Sequence, residues 1–152
     1  EWEWVAAPYT KSPLETLSLA SCLLTEDTPL IVNYVDCWIT QVELFKAAVL
    51  QLGKKGRSAL LTSFFSHNPR FTPIATPSLP GMVAGGVAGF SSARHFGNEV
   101  KDACTYELTR ETGMPDVAEL MQCDYWGCEL GRTYIDVGTP DDYERYLRGW
   151  RQ

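Results

Sequence analysis

Pro29-Leu30-Ile31-Val32-Asn33-Tyr34-Val35-Asp36 is a short, nearly unbroken apolar run that ends on one carboxylate. A run of this length and β-branched content, with a proline at its start, predicts a fully buried central strand. In an open α/β sheet, ligands bind where the C-terminal ends of the strands leave a crevice. A buried strand that brings one acid to that edge therefore suggests a metal or phosphate site there, and the alternative is that Asp36 caps the turn or helix that follows.

The composition predicts one soluble globular domain. The chain has 152 residues, of which 45% are hydrophobic, and its formal net charge is −6. This acidic balance argues against a nucleic-acid-binding protein, whose surface needs a basic excess to neutralise phosphates. No apolar segment reaches the length of a membrane span, and the start Glu1-Trp2-Glu3-Trp4 does not resemble a signal peptide. The sequence thus predicts a cytoplasmic protein without membrane contact.

The cysteines do not indicate a disulfide framework or a zinc site. Their number is odd, and no pair has the C-x-x-C spacing. We therefore expect buried free thiols. The five residues are Cys22, Cys37, Cys104, Cys123 and Cys128.

Helical and strand patterns alternate along the chain. This alternation predicts a parallel crossover between the strand that precedes Asp36 and the next strand, at 58–65. Thr139 is predicted to cap the last helix, with Pro140 at its first position. The predicted helices cover 14–24, 41–52, 93–104, 117–121 and 141–150, and further strands are predicted at 1–5, 58–65, 82–90 and 134–137.

Three other features have both a ligand-binding and a structural interpretation. The strand 82–90 contains Gly85, Gly86 and Gly89, which allow close approach of either a ligand or a packed helix. The basic cluster 54–57 either meets a phosphate or is solvated after a helix C-terminus. His67 follows a predicted strand, where it either contacts a ligand or makes a turn hydrogen bond.

A family resemblance is carried by Tyr134-Ile135-Asp136-Val137-Gly138-Thr139-Pro140-Asp141-Asp142-Tyr143. This stretch resembles the motif, an aromatic residue followed by x-D-I-G-T-P-E-D-Y, that closes the catalytic domain of the sugar-phosphate nucleotidyltransferases, the sugar-nucleotide pyrophosphorylase family. Three further stretches fall in the order the family requires: the loop 10–16, the strand 29–36, similar to P-L-I-V-x-N-x-D, and 84–90, similar to N-A-G-I-Y-V-F. The form of 32–36 resembles the branch associated with capsule and surface-polysaccharide biosynthesis.

The resemblance implies a Rossmann-like α/β fold with a mostly parallel sheet and flanking helices. It implies that residues 1–152 form a single α/β domain similar to the C-terminal part of the catalytic domain. In this family, the acid after the central strand and the acid of the D-I-G-T motif hold Mg²⁺, and these acids fall on Asp36 and Asp136. The substrates would be a nucleoside triphosphate and a sugar 1-phosphate. Substrate contacts are expected at Lys11, Asn33, Gly85 and Gly86.

The chain also departs from the family pattern. It contains no G-x-G-T/S-R loop and no E-K-P motif, Ser12-Pro13 follows Lys11 where glycine is usual, and Ala84 replaces an asparagine. These departures predict an incomplete fold and a truncated or divergent protein that is not catalytic alone and needs a partner chain or a homo-oligomer.

Two non-catalytic alternatives remain at this point. One is a protein that binds a sugar phosphate or nucleotide without turnover. The other is a structural homo-oligomer, because an exposed sheet edge invites pairing with another chain. The surface predicted for such an oligomer is aromatic and consists of Trp2, Trp4, Tyr146 and Trp150.

Overall fold

The computed structural model describes residue 10 and residues 13–55, 59–66, 81–105, 125–129 and 134–149. Lys11, His67 and the predicted elements at 1–5 and 117–121 lie outside these ranges.

None of the helices in the described ranges has the length and apolarity that a bilayer crossing requires. The helices are α1 (Pro13–Ala20), α2 (Val42–Leu50), α3 (Ala93–Thr105) and α4 (Pro140–Gly149), and short 3₁₀ turns cover Ser21–Leu23 and Gly53–Lys55. The strands are β1 (Leu30–Asn33), β2 (Cys37–Ile39), β3 (Ala59–Phe65), β4 (Met82–Phe90), β5 (Tyr125–Glu129) and β6 (Tyr134–Asp136).

The described strands form a four-stranded sheet in the order β1-β4-β3-β5 and a two-stranded sheet of β2 and β6. The predicted α/β class is confirmed. The sheet is mixed rather than mostly parallel in its ladders, because β4 pairs antiparallel with both β1 and β3 and only β3 and β5 pair in parallel. β1 and β3 do run in the same direction, but β4 lies between them. Apolar periodicity identifies a strand without giving its direction or its neighbours.

β1 lies at one end of the described strand order, where it pairs with β4. Val32 is buried in a core cluster, whereas Ile31 is 39% exposed on the opposite face. The prediction of a fully buried central strand is therefore wrong. An apolar run shows that a strand is able to be buried on both faces, but the neighbouring elements decide whether each face is covered.

Two apolar cores lie on the two faces of the larger sheet. Neighbouring residues of a strand point to opposite faces, so Leu60 and Leu61 belong to different cores. The first core lies under α1 and α3 and includes Phe90 and Phe96, whose ring centroids are 4.5 Å apart. The second lies under α2 and β2 and includes Cys37, Ile39, Phe45, Val49, Leu52, Leu60 and Val87.

The turn into α4 follows the predicted capping pattern. The backbone nitrogen of Asp142 donates to Thr139 Oγ1 at 3.2 Å, and that of Tyr143 donates to the Thr139 carbonyl at 3.0 Å. Thr139 thus satisfies a backbone donor that the first turn of the helix leaves unpaired. The helix begins at Pro140, as predicted.

The cysteines agree with the sequence prediction only in part. Cys37 is buried, whereas Cys22 and Cys104 are exposed. Burial of the thiol is therefore confirmed for Cys37, and it is wrong for the other two.

Candidate functional site

Asp36 lies in a tight turn between β1 and β2. The backbone nitrogen of Cys37 donates to the carbonyl of Tyr34 at 3.3 Å, which closes a four-residue β-turn with Val35 and Asp36 at its centre. Both central residues are exposed, and Val35 is 99% exposed. The turn therefore presents the Asp36 carboxylate at the surface, at the C-terminal end of β1.

The backbone of this turn is attached to the larger sheet and to its own strand. The nitrogen of Tyr34 donates to the Gly86 carbonyl of β4 at 2.8 Å. The side-chain nitrogen of Asn33 donates to the carbonyls of Tyr34, at 2.8 Å, and Cys37, at 3.1 Å. These hydrogen bonds hold both the first and the last residue of the turn.

Asp136 lies next to this turn because β2 pairs antiparallel with β6. Cys37 is opposite Asp136 in the register, and the nitrogen of Val137 donates to the Asp36 carbonyl at 2.9 Å. The structure thus brings the backbones of Asp36 and Asp136 together, across the small sheet rather than along the edge of the large one. The sequence offered no sign of the β2–β6 pairing, since its strands are short and far apart in the chain.

The Asp136 carboxylate is oriented by its own loop. Its Oδ1 accepts a hydrogen bond from the nitrogen of Gly138 at 3.0 Å, and the residue is partly buried. An ionised carboxylate has about four lone-pair sites on its two oxygens, so this hydrogen bond leaves it able to bind a cation.

The carboxylate oxygens of this site are ligands of the kind that bind a Mg²⁺ ion which also contacts the phosphates of a substrate. Within the described ranges, no group of three or more His, Cys, Asp or Glu side chains forms a metal cluster. Mg²⁺ prefers oxygen ligands and is usually held by one or two carboxylates together with water and substrate phosphates. Asp36, in the turn before β2, and Asp136, at the end of β6, supply two such carboxylates, which fits this mode of binding.

Packing accounts for two of the glycines in β4. A Cβ atom at Gly86 would lie 2.5 Å from Cys37 Sγ and 2.8 Å from Tyr34 Cδ2, and one at Gly89 would overlap the Val49 side chain. The predicted packing against a helix is therefore observed at Gly89, because Val49 belongs to α2, whereas Gly86 packs against the Asp36 turn and β2. Gly85 is buried in the same strand, and substrate contact at Gly85 or Gly86 stays a prediction.

Two features near the site were missed by sequence analysis. One is the Asn33 side chain as a support of the turn, for which the preference of asparagine for turns was an available signal. The other is the edge-to-face contact of Trp38 with Tyr146, with ring centroids 5.3 Å apart, which joins α4 to β2. These two rings are distant in sequence, so no local pattern pointed to their contact.

Comparison with known proteins places this geometry in a structural context. No protein-family model matches the chain, and no curated protein matches it in sequence. Among solved structures, it resembles a nucleoside-diphosphate-sugar pyrophosphorylase from Vibrio cholerae RC9, with a TM-score of 0.65 and 13% identity over 94% of this chain. The fold is that of a nucleotidyltransferase.

Two further structures have the same nucleotidyltransferase fold. A protein described as a glucose-1-phosphate thymidylyltransferase from Bacillus anthracis, in complex with sucrose, matches with a TM-score of 0.66 and 14% identity over 95% of the chain. A 4-diphosphocytidyl-2C-methyl-D-erythritol synthase from Anaerococcus prevotii DSM 20548 matches with a TM-score of 0.67 and 10% identity over 94%. The chain spans about two thirds of the length of these structures: 67%, 63% and 68% of the Vibrio, Bacillus and Anaerococcus chains.

Proposed function

We propose that this protein is a nucleotidyltransferase-like domain that binds a nucleoside triphosphate and a sugar 1-phosphate, with Mg²⁺ held between Asp36 and Asp136. The observation that carries the proposal is the β2–β6 pairing, in which Val137 donates to the Asp36 carbonyl at 2.9 Å. The similarity of the fold to a sugar pyrophosphorylase and a sugar-phosphate thymidylyltransferase supports the choice of substrates.

The proposed chemistry requires no covalent bond to the protein. An oxygen of the sugar 1-phosphate attacks the α-phosphorus of the nucleoside triphosphate, the bond from that phosphorus to the β-phosphate's bridging oxygen breaks, and pyrophosphate leaves. Both reactants are anions, so alignment and charge neutralisation account for most of the catalysis. The bound cation would supply that neutralisation. The contribution of this chain, which we do not expect to be catalytic alone, is two carboxylates: that of Asp36 on a hydrogen-bonded turn and that of Asp136 on β6.

The test is calorimetric titration with ATP, CTP, GTP, UTP and dTTP, each with Mg²⁺ and again with EDTA. We expect at least one nucleotide to bind more tightly with Mg²⁺. Asp36→Asn and Asp136→Asn should each remove most of that gain, weakening binding in Mg²⁺ about 10- to 100-fold, because an amide lacks the charge that holds the cation. Binding in EDTA should change little.

The matched control is Asp27→Asn, which removes an exposed carboxylate from the loop before β1. This variant should bind like the parent protein. Equal loss of affinity in all three variants would mean that net charge, rather than a metal site, governs binding, and nucleotide affinity that does not respond to Mg²⁺ would contradict the proposal directly.

A structural homo-oligomer is a second candidate, and the exposure of α4 favours it. None of the described residues of this helix is buried, and Tyr143 and Leu147, one turn apart, are 51% and 38% exposed. A ten-residue helix is marginally stable in water unless its apolar face is covered. Of the aromatic residues predicted for this role, Tyr146 instead contacts Trp38, and Trp2, Trp4 and Trp150 lie outside the described ranges.

The charges of α4 suit pairing with a second copy of the same helix. Its first turn is acidic, with Asp141 and Asp142, and its last turn carries Arg148. Within the helix, Asp142 pairs with Arg145 at 3.5 Å and Arg148 pairs with Glu144 at 2.7 Å, so pairing with a second copy would add to these exposed contacts or exchange them. An antiparallel pair related by a two-fold axis would set the acidic turn of one copy beside the basic turn of the other. The partner in this alternative is therefore a second copy of the chain.

Light scattering after gel filtration tests this alternative. The double variant Tyr143→Ser with Leu147→Ser should shift the protein from dimer to monomer, because the apolar area that drives pairing is lost. Leu44→Ser, on the exposed face of α2, is the matched control and should leave the mass unchanged. A parent protein that is monomeric across the accessible concentrations would contradict the pairing.

A further inference from the structure

Both donor hydrogens of the Asn33 amide are used inside the Asp36 turn. Asn33 is exposed, yet its Nδ2 donates to the Tyr34 carbonyl at 2.8 Å and to the Cys37 carbonyl at 3.1 Å. A primary amide has two donor hydrogens. Donation to a substrate would therefore require Asn33 to release one end of the turn.

The Asp36 carboxylate depends on this turn for its position. Among the described residues, no hydrogen bond reaches its side-chain oxygens, whereas its backbone carbonyl accepts the hydrogen bond from Val137. The location of the carboxylate relative to Asp136 is thus set by the backbone between Tyr34 and Cys37. The Cys37 thiol also donates to the Tyr34 carbonyl, at 3.4 Å, but a thiol is a weak donor.

We propose that Asn33 is a positioning residue whose side-chain amide presets the turn, so that Asp36 and Asp136 face one cation together. This inference rests on the proposed function and replaces the predicted substrate contact through the amide donors of Asn33. Residues that orient metal ligands without touching the metal typically change metal affinity 10- to 100-fold when they are replaced. A preset turn has this effect because its ordering does not have to occur on binding.

The experiment is titration of the folded chain with Mn²⁺ alone, with free Mn²⁺ followed by electron paramagnetic resonance. Asn33→Ala should raise the dissociation constant about tenfold or more while the circular dichroism spectrum is retained. Asn98→Ala, which removes an exposed asparagine from α3, is the matched control and should bind like the parent. If Asn33→Ala does not fold, Asn33→Ser keeps one donor and should give an intermediate affinity.

Asn33→Asp separates positioning from electrostatics. A carboxylate beside the site attracts a cation more strongly, but it cannot donate to the Tyr34 and Cys37 carbonyls. We therefore expect weaker Mn²⁺ binding in spite of the added negative charge. Mn²⁺ affinity equal to or above that of the parent would overturn the inference.

The remaining outcomes distinguish this inference from the proposed function. Parent-like affinity in Asn33→Ala, together with loss in Asp36→Asn, would overturn the positioning role and leave the metal site intact. Weaker nucleotide binding by Asn33→Ala in EDTA would show direct substrate contact and also overturn it. A parent protein that does not bind Mn²⁺, alone or with a nucleotide, would overturn both proposals.

Discussion

Phe90→Ala should lower the free energy of unfolding by about 4 kcal/mol, the typical cost of removing a buried phenylalanine ring. Phe90 is 0% exposed, and its ring lies 4.5 Å from that of Phe96, which is also 0% exposed. It ends β4, where it is opposite Leu30 on one side and Ala59 on the other. Its loss therefore leaves a cavity where three strands and α3 meet.

Urea denaturation followed by circular dichroism measures this effect. Leu44→Ala, at a position 67% exposed on α2, is the matched control and should change the free energy of unfolding by no more than about 0.5 kcal/mol. A cost below about 1 kcal/mol for Phe90→Ala would show that Phe90 is not a central core residue.

Gly86→Ala should destabilise the protein by about 2 to 3 kcal/mol and also weaken Mg²⁺-dependent nucleotide binding. The added methyl group would lie 2.5 Å from Cys37 Sγ and 2.8 Å from Tyr34 Cδ2. Overpacking of this kind forces side chains and backbone to move. The atoms that must move belong to the first and last residues of the Asp36 turn, so a defect in β4 is transmitted to the candidate site.

Denaturation and calorimetry on the same variants separate the two effects. Gly53→Ala is the matched control, because a methyl group there meets nothing within 4 Å. Adding Cys37→Ala to Gly86→Ala removes the closer clash and should restore part of the stability. Full nucleotide affinity in a stable Gly86→Ala protein would mean that the turn does not depend on this packing.

The sequence located most of the local elements, but it did not order them in space. The run from Pro29 to Asp36 correctly predicted a strand, and Thr139 correctly predicted the start of α4. The position of β1 at one end of the described strand order was not predictable, because burial on both faces depends on elements that pack from elsewhere in the chain. The direction of β4, which is antiparallel to both of its neighbours, was not predictable for the same reason.

At the candidate site, too, the sequence predicted the chemistry of the residues but not the strand pairing that arranges them. The chemistry of Asp36 and Asp136, two oxygen donors placed after strand-like runs, follows from residue type and local pattern. The family resemblance implied that the two acids lie together, but the pairing that brings their backbones together, between β2 and β6, joins residues about a hundred positions apart and was not predicted. The glycine at 86 is likewise explained only once Tyr34 and Cys37 are seen to pack on it.

The sequence by itself therefore determined the α/β class, the helix starts and the two acidic residues that carry the proposed function. These depend on periodicity, capping and side-chain chemistry, which act over a few neighbouring residues. Only the tertiary structure decided the mixed sheet, the half-exposed β1, the support of the turn by Asn33 and the β2–β6 pairing that brings the backbones of Asp36 and Asp136 together. Each of these depends on contacts or coverage that local sequence patterns do not specify, because alternative pairings of the same strands satisfy the same local preferences.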